Sequence, residues 1–214
     1  MGKSISVGLG ITSYNRPELL ERCLRQINRH TFMDDVTIYV AKDTDEDRRG
    51  VAYRKNECLR ALKDCDHIIL LDDDCYPIKD GWIEFLISSK QNHLLFLNHT
   101  HNKIGRFKDI DIYKDCGGVM LYLTKEVVDK VGAFNEEFLT WGFEHAEYSL
   151  RVFKAGLIPA AYMMKDGTNK YLYALDYDSK IVHKSTINNF EKNLLFNINR
   201  VTFAKPIAQI YRPL

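Results

Sequence analysis

Three consecutive carboxylates follow directly after the apolar run 68–71, namely Asp72, Asp73 and Asp74. Pro77 lacks a backbone N–H and ends the extended pattern soon afterwards, so we predict a buried strand with an acidic end. Carboxylates this close repel one another, and a divalent cation relieves the repulsion. Oxygen ligands favour Mg2+ or Mn2+, whose open positions can take a substrate's phosphates. The alternative is a solvated acidic turn, or a cap for the next helix.

Strand and helix patterns alternate ahead of this triplet. Segments 4–12 and 36–41 are rich in β-branched and apolar residues, which indicates strands. Segments 17–27 and 51–62 have apolar residues at helical spacing. This alternation predicts an α/β fold with parallel strand pairing and right-handed crossovers. Ligands bind beyond the carboxyl ends of such strands, which is where the triplet lies.

The pattern is looser beyond Pro77. We predict further helices at 82–87, 125–131 and in a segment from 138 that Gly156 closes, strands at 94–97 and 116–123, and an amphipathic helix at 186–200. The polar segment 98–115 has no strong period, which permits a mobile lid without requiring one.

Composition limits the class of protein. The 30 basic and 29 acidic residues among 214 nearly cancel, which disfavours a dedicated nucleic-acid binder but leaves room for a local basic patch. Five cysteines, an odd number without a C-x-x-C pair, indicate reduced thiols. No stretch reaches the ~20 apolar residues of a membrane span, and no cleavage-site pattern follows the amino terminus. We therefore expect a cytoplasmic protein without stable membrane insertion.

Four segments, in this order, resemble the GT-A-fold glycosyltransferases of the large family-2-like group. They are Thr12-Ser-Tyr-Asn-Arg-Pro17, Asp43 with Gly50-Val-Ala-Tyr-Arg-Lys-Asn56, the aspartate triplet as a D-x-D motif, and Gly117-Gly118 followed by Trp141-Gly-Phe-Glu-His-Ala-Glu147. Each segment alone is weak evidence, whereas their order and spacing over roughly residues 5–185 are fairly specific.

The resemblance implies a single Rossmann-like GT-A domain over residues 1–214, a three-layer α/β/α sandwich with a mostly parallel central sheet. Its nucleotide-sugar half would be 1–76, its acceptor and catalytic half 77–185, and its C-terminal helix and tail 186–214. The implied activity is a metal-dependent, inverting transfer of a hexosyl or pentosyl group from a nucleotide-diphosphate sugar, with UDP-sugars favoured. A hydroxyl of a glycan or small molecule is the favoured acceptor, and a nucleic acid is also open.

On the donor side, the resemblance implies a metal held by Asp72, Asp74 and His183. An imidazole ligand suits Mn2+ better than Mg2+. The donor-binding candidates are Thr12, Tyr14, Arg16, Asp43, Arg54, Asp72 and Asp73.

The acceptor side departs from the family pattern, because His145 stands where the W-G-x-E-D signature usually has its basic aspartate. Glu144 is therefore the first candidate for the catalytic base, with His145 either sharing this role or binding the acceptor. The helix N-terminus expected here favours an anionic Glu144 and disfavours a charged His145. Trp141 and Gly118 are the acceptor-binding candidates.

Two other functions fit the same sequence. A nucleotidyltransferase would use the aspartates for its metal, but such enzymes usually carry a glycine-rich basic loop where this chain has Thr12 to Pro17. A catalytically inactive module would bind nucleotide and metal without turnover, with His145 marking the lost base.

Overall fold

The computed structural model describes residues 4–97, 102–140, 142–177, 189–204 and 213–214. The strands are β1 (Val7–Tyr14), β2 (Val36–Asp43), β3 (His67–Asp72), β4 (Cys75–Pro77), β5 (His93–Leu97), β6 (Lys103–Phe107), β7 (Ile110–Tyr113), β8 (Gly118–Thr124), β9 (Met163–Lys165) and β10 (Leu172–Ala174). The helices are α1 (Pro17–His30), α2 (Val51–Leu62), α3 (Trp82–Ile87), α4 (Lys125–Val131), α5 (Glu144–Lys154) and α6 (Asn189–Ala204), with short 3-10 helices at Thr168–Lys170 and Leu175–Tyr177.

Within the described ranges, the central sheet has five strands in the order β2-β1-β3-β8-β5. Strand β1 pairs in parallel with β2 and β3, whereas β8 pairs antiparallel with β3 and β5. Four strands therefore run in one direction and β8 runs against them, which confirms the predicted α/β fold with a mostly parallel sheet. Two smaller antiparallel sheets, β10-β4 and β6-β7-β9, flank it.

This topology brings the ends of distant segments to one edge of the sheet. The last residue of β1, Tyr14, lies opposite Asp43 of β2, and Thr12 lies opposite Asp72 of β3. Because β8 runs the other way, its first residue, Gly118, lies at the same edge, opposite Leu97. Residues that are far apart in the sequence thus meet where open α/β sheets bind their ligands.

Helices on the sheet explain why β3 reads as an uninterrupted apolar run. Residues 68–71 are fully buried, as expected for a strand covered on both faces. Helix α1 buries Leu20, Cys23 and Ile27, and α2 buries Cys58, Leu59 and Leu62, in both cases at helical spacing. The periodicity that predicted these helices therefore reflects their burial against the sheet.

Gly10 allows α2 to pack closely against β1. A Cβ at this position would lie 2.7 Å from Cys58 Cβ and 2.7 Å from Leu70 Cδ2. We expect Gly10→Ala to lower the free energy of unfolding by about 1–3 kcal/mol, because overpacking shifts the helix or the strand. Urea unfolding measures the change. Gly105→Ala is the matched control, since a Cβ there meets nothing within 4 Å, and equal stability of both variants would contradict this account.

The segment 98–115, for which no element was predicted, contains the β6–β7 hairpin. Burial in β6 does not alternate, because its residues are exposed or only partly buried, so the strand carries no periodic signal. Ion pairs connect the two strands of this hairpin, because Asp111 of β7 pairs with Lys103 at 2.6 Å and with Arg106 at 3.3 Å.

In the described part of the chain, no helix combines the length and the apolar character that a membrane crossing requires.

Candidate active site

The first two aspartates at the end of β3 accept hydrogen bonds from neighbouring β1. Thr12 Oγ1 donates to Asp72 Oδ1 at 3.1 Å, and Ser13 Oγ donates to Asp73 Oδ2 at 2.6 Å. The Asp72 side chain is 24% exposed, whereas Asp73 is fully buried. Asp72 is therefore accessible from solvent, whereas Asp73 is buried and holds Ser13 of β1.

Arg16, in the loop after β1, neutralises the other part of the triplet. Its Nη1 donates to Asp74 Oδ2 at 2.8 Å, and its Nη2 contacts Asp73 Oδ1. Burial lowers the pKa of Arg16, but the charges of Asp73 and Asp74 outweigh that effect and raise it. Burial raises the pKa of Asp73 to about 7. Arg16 is thus part of the acidic site and not an isolated surface charge.

Asp43 and Arg54 organise the loop between β2 and α2. Asp43 accepts hydrogen bonds from the backbone N–H groups of Arg49, at 2.7 Å, and Gly50, at 3.0 Å, and from Arg54 Nε at 3.1 Å. Arg54 also donates to Asp47 and Glu57. Both Asp43 and Arg54 are buried, so the contacts described here hold the loop backbone in place.

Tyr14 lies at the end of β1 in contact with the same loop. Its hydroxyl donates to Asp45 Oδ1 at 2.6 Å, and the Arg48 guanidinium lies 4.7 Å from its ring centroid. Asn15, which has a left-handed backbone with φ of 48°, donates to Asp45 Oδ2 at 2.8 Å. These contacts hold the β1–α1 turn against the β2–α2 loop.

A cleft of about 370 Å³ opens beside these residues, which is the size range of small-molecule sites. One part of its wall is apolar, from Pro17, Leu20 and Leu24, and the other is polar. The polar part consists of Ser13, Asn15, Arg16, Glu21, Lys42, Asp43 and Thr44. An apolar wall beside charged groups suits a ligand with a flat ring and ionic groups.

The N-terminus of α5 carries the two candidate bases. Glu144 and His145 are its first residues, and both are buried. The backbone N–H of Gly142 donates to Glu144 Oε2 at 3.1 Å. Two further candidates, Trp141 and His183, lie outside the described residues.

Lys55 joins the two sides of the site and was not among the residues predicted from the sequence. Its fully buried Nζ lies 3.1 Å from Asp72 Oδ1 and 3.5 Å from Glu144 Oε1, and it contacts His145 Nε2. Burial lowers the pKa of Lys55, but Asp72 and Glu144 outweigh that effect and raise it. Likewise, burial raises the pKa of Asp72, but the charge and hydrogen bond of Lys55 outweigh that effect and lower it. The sequence signal that could have identified Lys55 was its place in the segment from Gly50 to Asn56.

His145 packs directly against Gly118 at the start of β8. A Cβ on residue 118 would lie 3.1 Å from His145 Nδ1, so a larger residue would crowd the ring. Burial and the neighbouring Lys55 charge lower the pKa of His145, and they outweigh the opposing charges of Glu144 and Asp72. Gly118 therefore leaves room for the His145 ring. Its contact with an acceptor stays a prediction.

Two asparagines fix the loop that leads into α5. Asn56 accepts from the backbone N–H of Phe134 at 2.7 Å and donates to the Phe134 carbonyl at 3.1 Å. Asn199 of α6 accepts from the backbone N–H of Leu139 at 3.3 Å and donates to the Gly142 carbonyl at 3.3 Å. Helices α2 and α6 thereby position the residues just before Glu144.

His93 couples α5 to the sheet and makes stability depend on pH. Its Nδ1 lies 2.9 Å from the Tyr122 carbonyl and its Nε2 lies 2.8 Å from Ser149 Oγ. Burial lowers the pKa of His93 from its ordinary 6.5 to about 4. Between these values the unfolded chain binds a proton that the folded chain does not, so stability falls as pH falls from 6.5 towards 4.

We expect this single group to remove roughly 3 kcal/mol of unfolding free energy across that range. Urea unfolding at several pH values should show a shallower decline for His93→Gln than for the wild type. The same slope in both proteins would contradict a neutral, buried His93.

No three His, Cys, Asp or Glu side chains form a ready-made metal site within the described ranges. Two of the three predicted metal ligands are paired with cations: Asp72 lies near Lys55, and Asp74 lies near Arg16. The third, His183, lies outside the described residues.

Comparison with known proteins identifies related chains, although no family model matches. A protein of Acanthamoeba polyphaga mimivirus described as an uncharacterized glycosyltransferase is 26% identical over 165 residues. The match covers 69% of this chain and 64% of that protein, so the chain spans less than two thirds of its relative's length.

Solved structures share the fold over most of the chain. The catalytic domain of Drosophila beta1,4-galactosyltransferase 7 in complex with xylobiose has a TM-score of 0.56 at 19% identity, covering 90% of this chain and 80% of that one. A mutant of that enzyme was solved with manganese, UDP-Gal and xylobiose. GalNAc-T7 with UDP, GalNAc and Mn2+ has a TM-score of 0.57 at 12% identity, covering 82% and 45% of the two chains. At these identities the likeness concerns the fold.

Proposed function

We propose that this chain, which has the GT-A fold of glycosyltransferases, is itself a metal-dependent, inverting glycosyltransferase. It transfers a sugar from a UDP-sugar to the hydroxyl of an acceptor. The relative named as a glycosyltransferase and the shared fold support the class of reaction.

The observation that carries the proposal is that one ammonium group contacts both Asp72 and Glu144. Asp72 ends β3 beside the end of β1, whose Ser13 lines the cleft, and Glu144 begins the helix on the acceptor side. A transferase that inverts in a single displacement needs a cation to stabilise the leaving diphosphate and a base for the attacking hydroxyl, close together. Asp72, as a ligand of that cation, and Glu144, as the base, would supply this pair.

The cleft beside Arg16 and Asp43 is the proposed donor site. Its apolar wall suits the flat base, and Arg16 lies where the diphosphate would meet the acidic strand end. Thr12, Tyr14 and Arg54 contribute by holding Asp72 and the surrounding loops. The complexes of the structural neighbours with UDP-Gal or UDP support a uridine donor.

The residues at the end of β3 fit a divalent cation. Four acidic side chains, Asp72, Asp73, Asp74 and Glu144, contact the cations Arg16 and Lys55. Both hydrogen bonds that Asp72 accepts from described side chains use Oδ1, and its side chain is partly exposed, so Oδ2 can serve as a ligand. Asp72 and Asp74, with His183 as a further ligand, would hold Mn2+ or Mg2+. Such an ion, when bound, neutralises the charge of the leaving diphosphate.

Glu144 is the proposed base for the acceptor hydroxyl, with Trp141 and Gly118 on the acceptor side. Xylobiose in the Drosophila enzyme supports a saccharide acceptor. Inversion follows if Glu144 deprotonates the hydroxyl during a single displacement, without a covalent sugar intermediate.

Thermal unfolding with UDP-, GDP-, CDP- and TDP-sugars, each with and without Mn2+, tests the proposal. A ligand at 100 times its Kd stabilises the folded state by about 2.7 kcal/mol. We expect UDP-sugars to stabilise the protein only when Mn2+ is present. In a second experiment with a panel of saccharide acceptors, NMR of the product should show that the anomeric configuration of the transferred sugar is inverted. No stabilisation by any donor would overturn the proposal, and binding without turnover would indicate the inactive module instead.

A further inference from the structure

A buried cluster of Lys55, Glu144 and His145 lies between the donor and acceptor sides of the site. The Lys55 side chain is fully buried, and Glu144 and His145 are each less than 10% exposed. Besides its contacts with Lys55, His145 Nε2 lies 3.4 Å from Glu144 Oε1. A buried ammonium is costly unless charged and polar partners surround it, as they do here.

The contacts of His145 determine where its ring proton lies. Lys55, which lies between two carboxylates, carries an ammonium that donates hydrogen bonds and accepts none, so His145 Nε2 is the acceptor in their contact. A neutral imidazole that accepts at Nε2 carries its proton on Nδ1. His145 Nδ1 lies beside Gly118, where a Cβ would come within 3.1 Å of it. The Lys55 contact therefore occupies Nε2, and the ring proton lies on the side of Gly118.

We propose that Lys55 is a positioning residue that holds His145 as the neutral Nδ1-protonated tautomer and sets the placement of Glu144 relative to Asp72. The proposal rests on the proposed transferase function, since its kinetic consequence concerns that reaction. His145 then has no available nitrogen for the acceptor proton, and Glu144 alone is the base. The histidine that replaces the expected aspartate becomes a structural partner of Lys55.

The tautomer can be measured on the wild-type protein without any donor. Two-bond proton–nitrogen NMR correlations distinguish the two neutral tautomers and the charged ring, and His145→Gln identifies the signals of residue 145 by their loss. We expect a neutral ring protonated at Nδ1 at pH 7. A ring protonated at Nε2, or a charged ring, would overturn the proposal, whether or not the transferase function holds.

Lys55→Met tests the kinetic consequence. We expect kcat to fall about 100-fold, because Glu144 loses its fixed position, while the affinity for UDP with Mn2+ is not weakened, since removing a cation beside Asp72 does not disfavour metal. Lys165→Met is the matched control: Lys165 is also a buried lysine, bonded to the Phe85 carbonyl at 2.8 Å and to Ser88 Oγ at 2.6 Å.

The control variant should lose stability and keep kcat. An unchanged kcat in Lys55→Met, or equal losses of kcat in both variants, would show that Lys55 contributes only packing. If Lys55→Met does not fold, the wild-type tautomer still decides the proposal. If the wild type itself transfers no sugar, the proposed function fails, and the NMR result stands separately.

Discussion

Replacing Glu144 by Gln is expected to lower kcat about 100- to 10,000-fold, the range that a positioned general base contributes. Gln keeps the shape of the side chain and can still accept from the Gly142 N–H, which now donates to Oε2 at 3.1 Å. It cannot take a proton from the acceptor hydroxyl. We expect Mn2+-dependent UDP binding to persist, so the loss should appear in kcat and not in donor affinity.

Glu147→Gln is the matched control for this prediction. Glu147 is a buried glutamate one helical turn further along α5, and it pairs with Arg151 at 2.9 Å. Its substitution should reduce stability and leave kcat of the folded fraction near the wild-type value. Transfer by Glu144→Gln at a rate similar to this control would mean that another group accepts the proton.

Asp74→Asn is expected to remove the metal dependence of donor binding. In the wild type, Arg16 Nη1 donates to Asp74 Oδ2 at 2.8 Å. The Asn side chain keeps an oxygen that can accept this hydrogen bond, but it lacks the negative charge that favours a divalent cation. Because the ion contributes several kcal/mol at the transition state, we expect kcat/KM to fall at least about 100-fold. Isothermal titration with MnCl2 and UDP measures the binding step.

Asp129→Asn serves as the control, because Asp129 lies on α4 with 57% of its side chain exposed. It should bind Mn2+ and UDP like the wild type. Retention of Mn2+-dependent UDP binding in Asp74→Asn would remove this aspartate from the metal site and leave Asp72 as the ligand to examine.

The elements that pack against the sheet could be predicted because their buried positions are apolar and recur with the period of a strand or a helix. Residues 68–71 are apolar because two layers cover them, and the helices around Cys23 and Cys58 show the same effect. The meeting of Thr12 and Asp72 also follows from parallel pairing. The β6–β7 hairpin was missed because its first strand lacks a buried face.

The partners of the charged residues could not be predicted in the same way. A lysine in the middle of a helical pattern is normally exposed, and only the folded chain shows that Lys55 points between β3 and α5. Similarly, Arg16 follows β1 in the sequence, but its pairing with Asp74 joins residues 58 positions apart. Such contacts depend on side-chain direction across elements, which spacing alone does not encode.

Three successive side chains near the start of α2 point to three different parts of the molecule. Arg54 reaches the loop after β2, Lys55 the site, and Asn56 the loop after α4. Successive helical residues are about 100° apart, so one residue gained or lost just before them would redirect all three at once, and no single substitution would restore them. The length of the Gly50 to Asn56 interval is therefore as important to the site as the residue types within it.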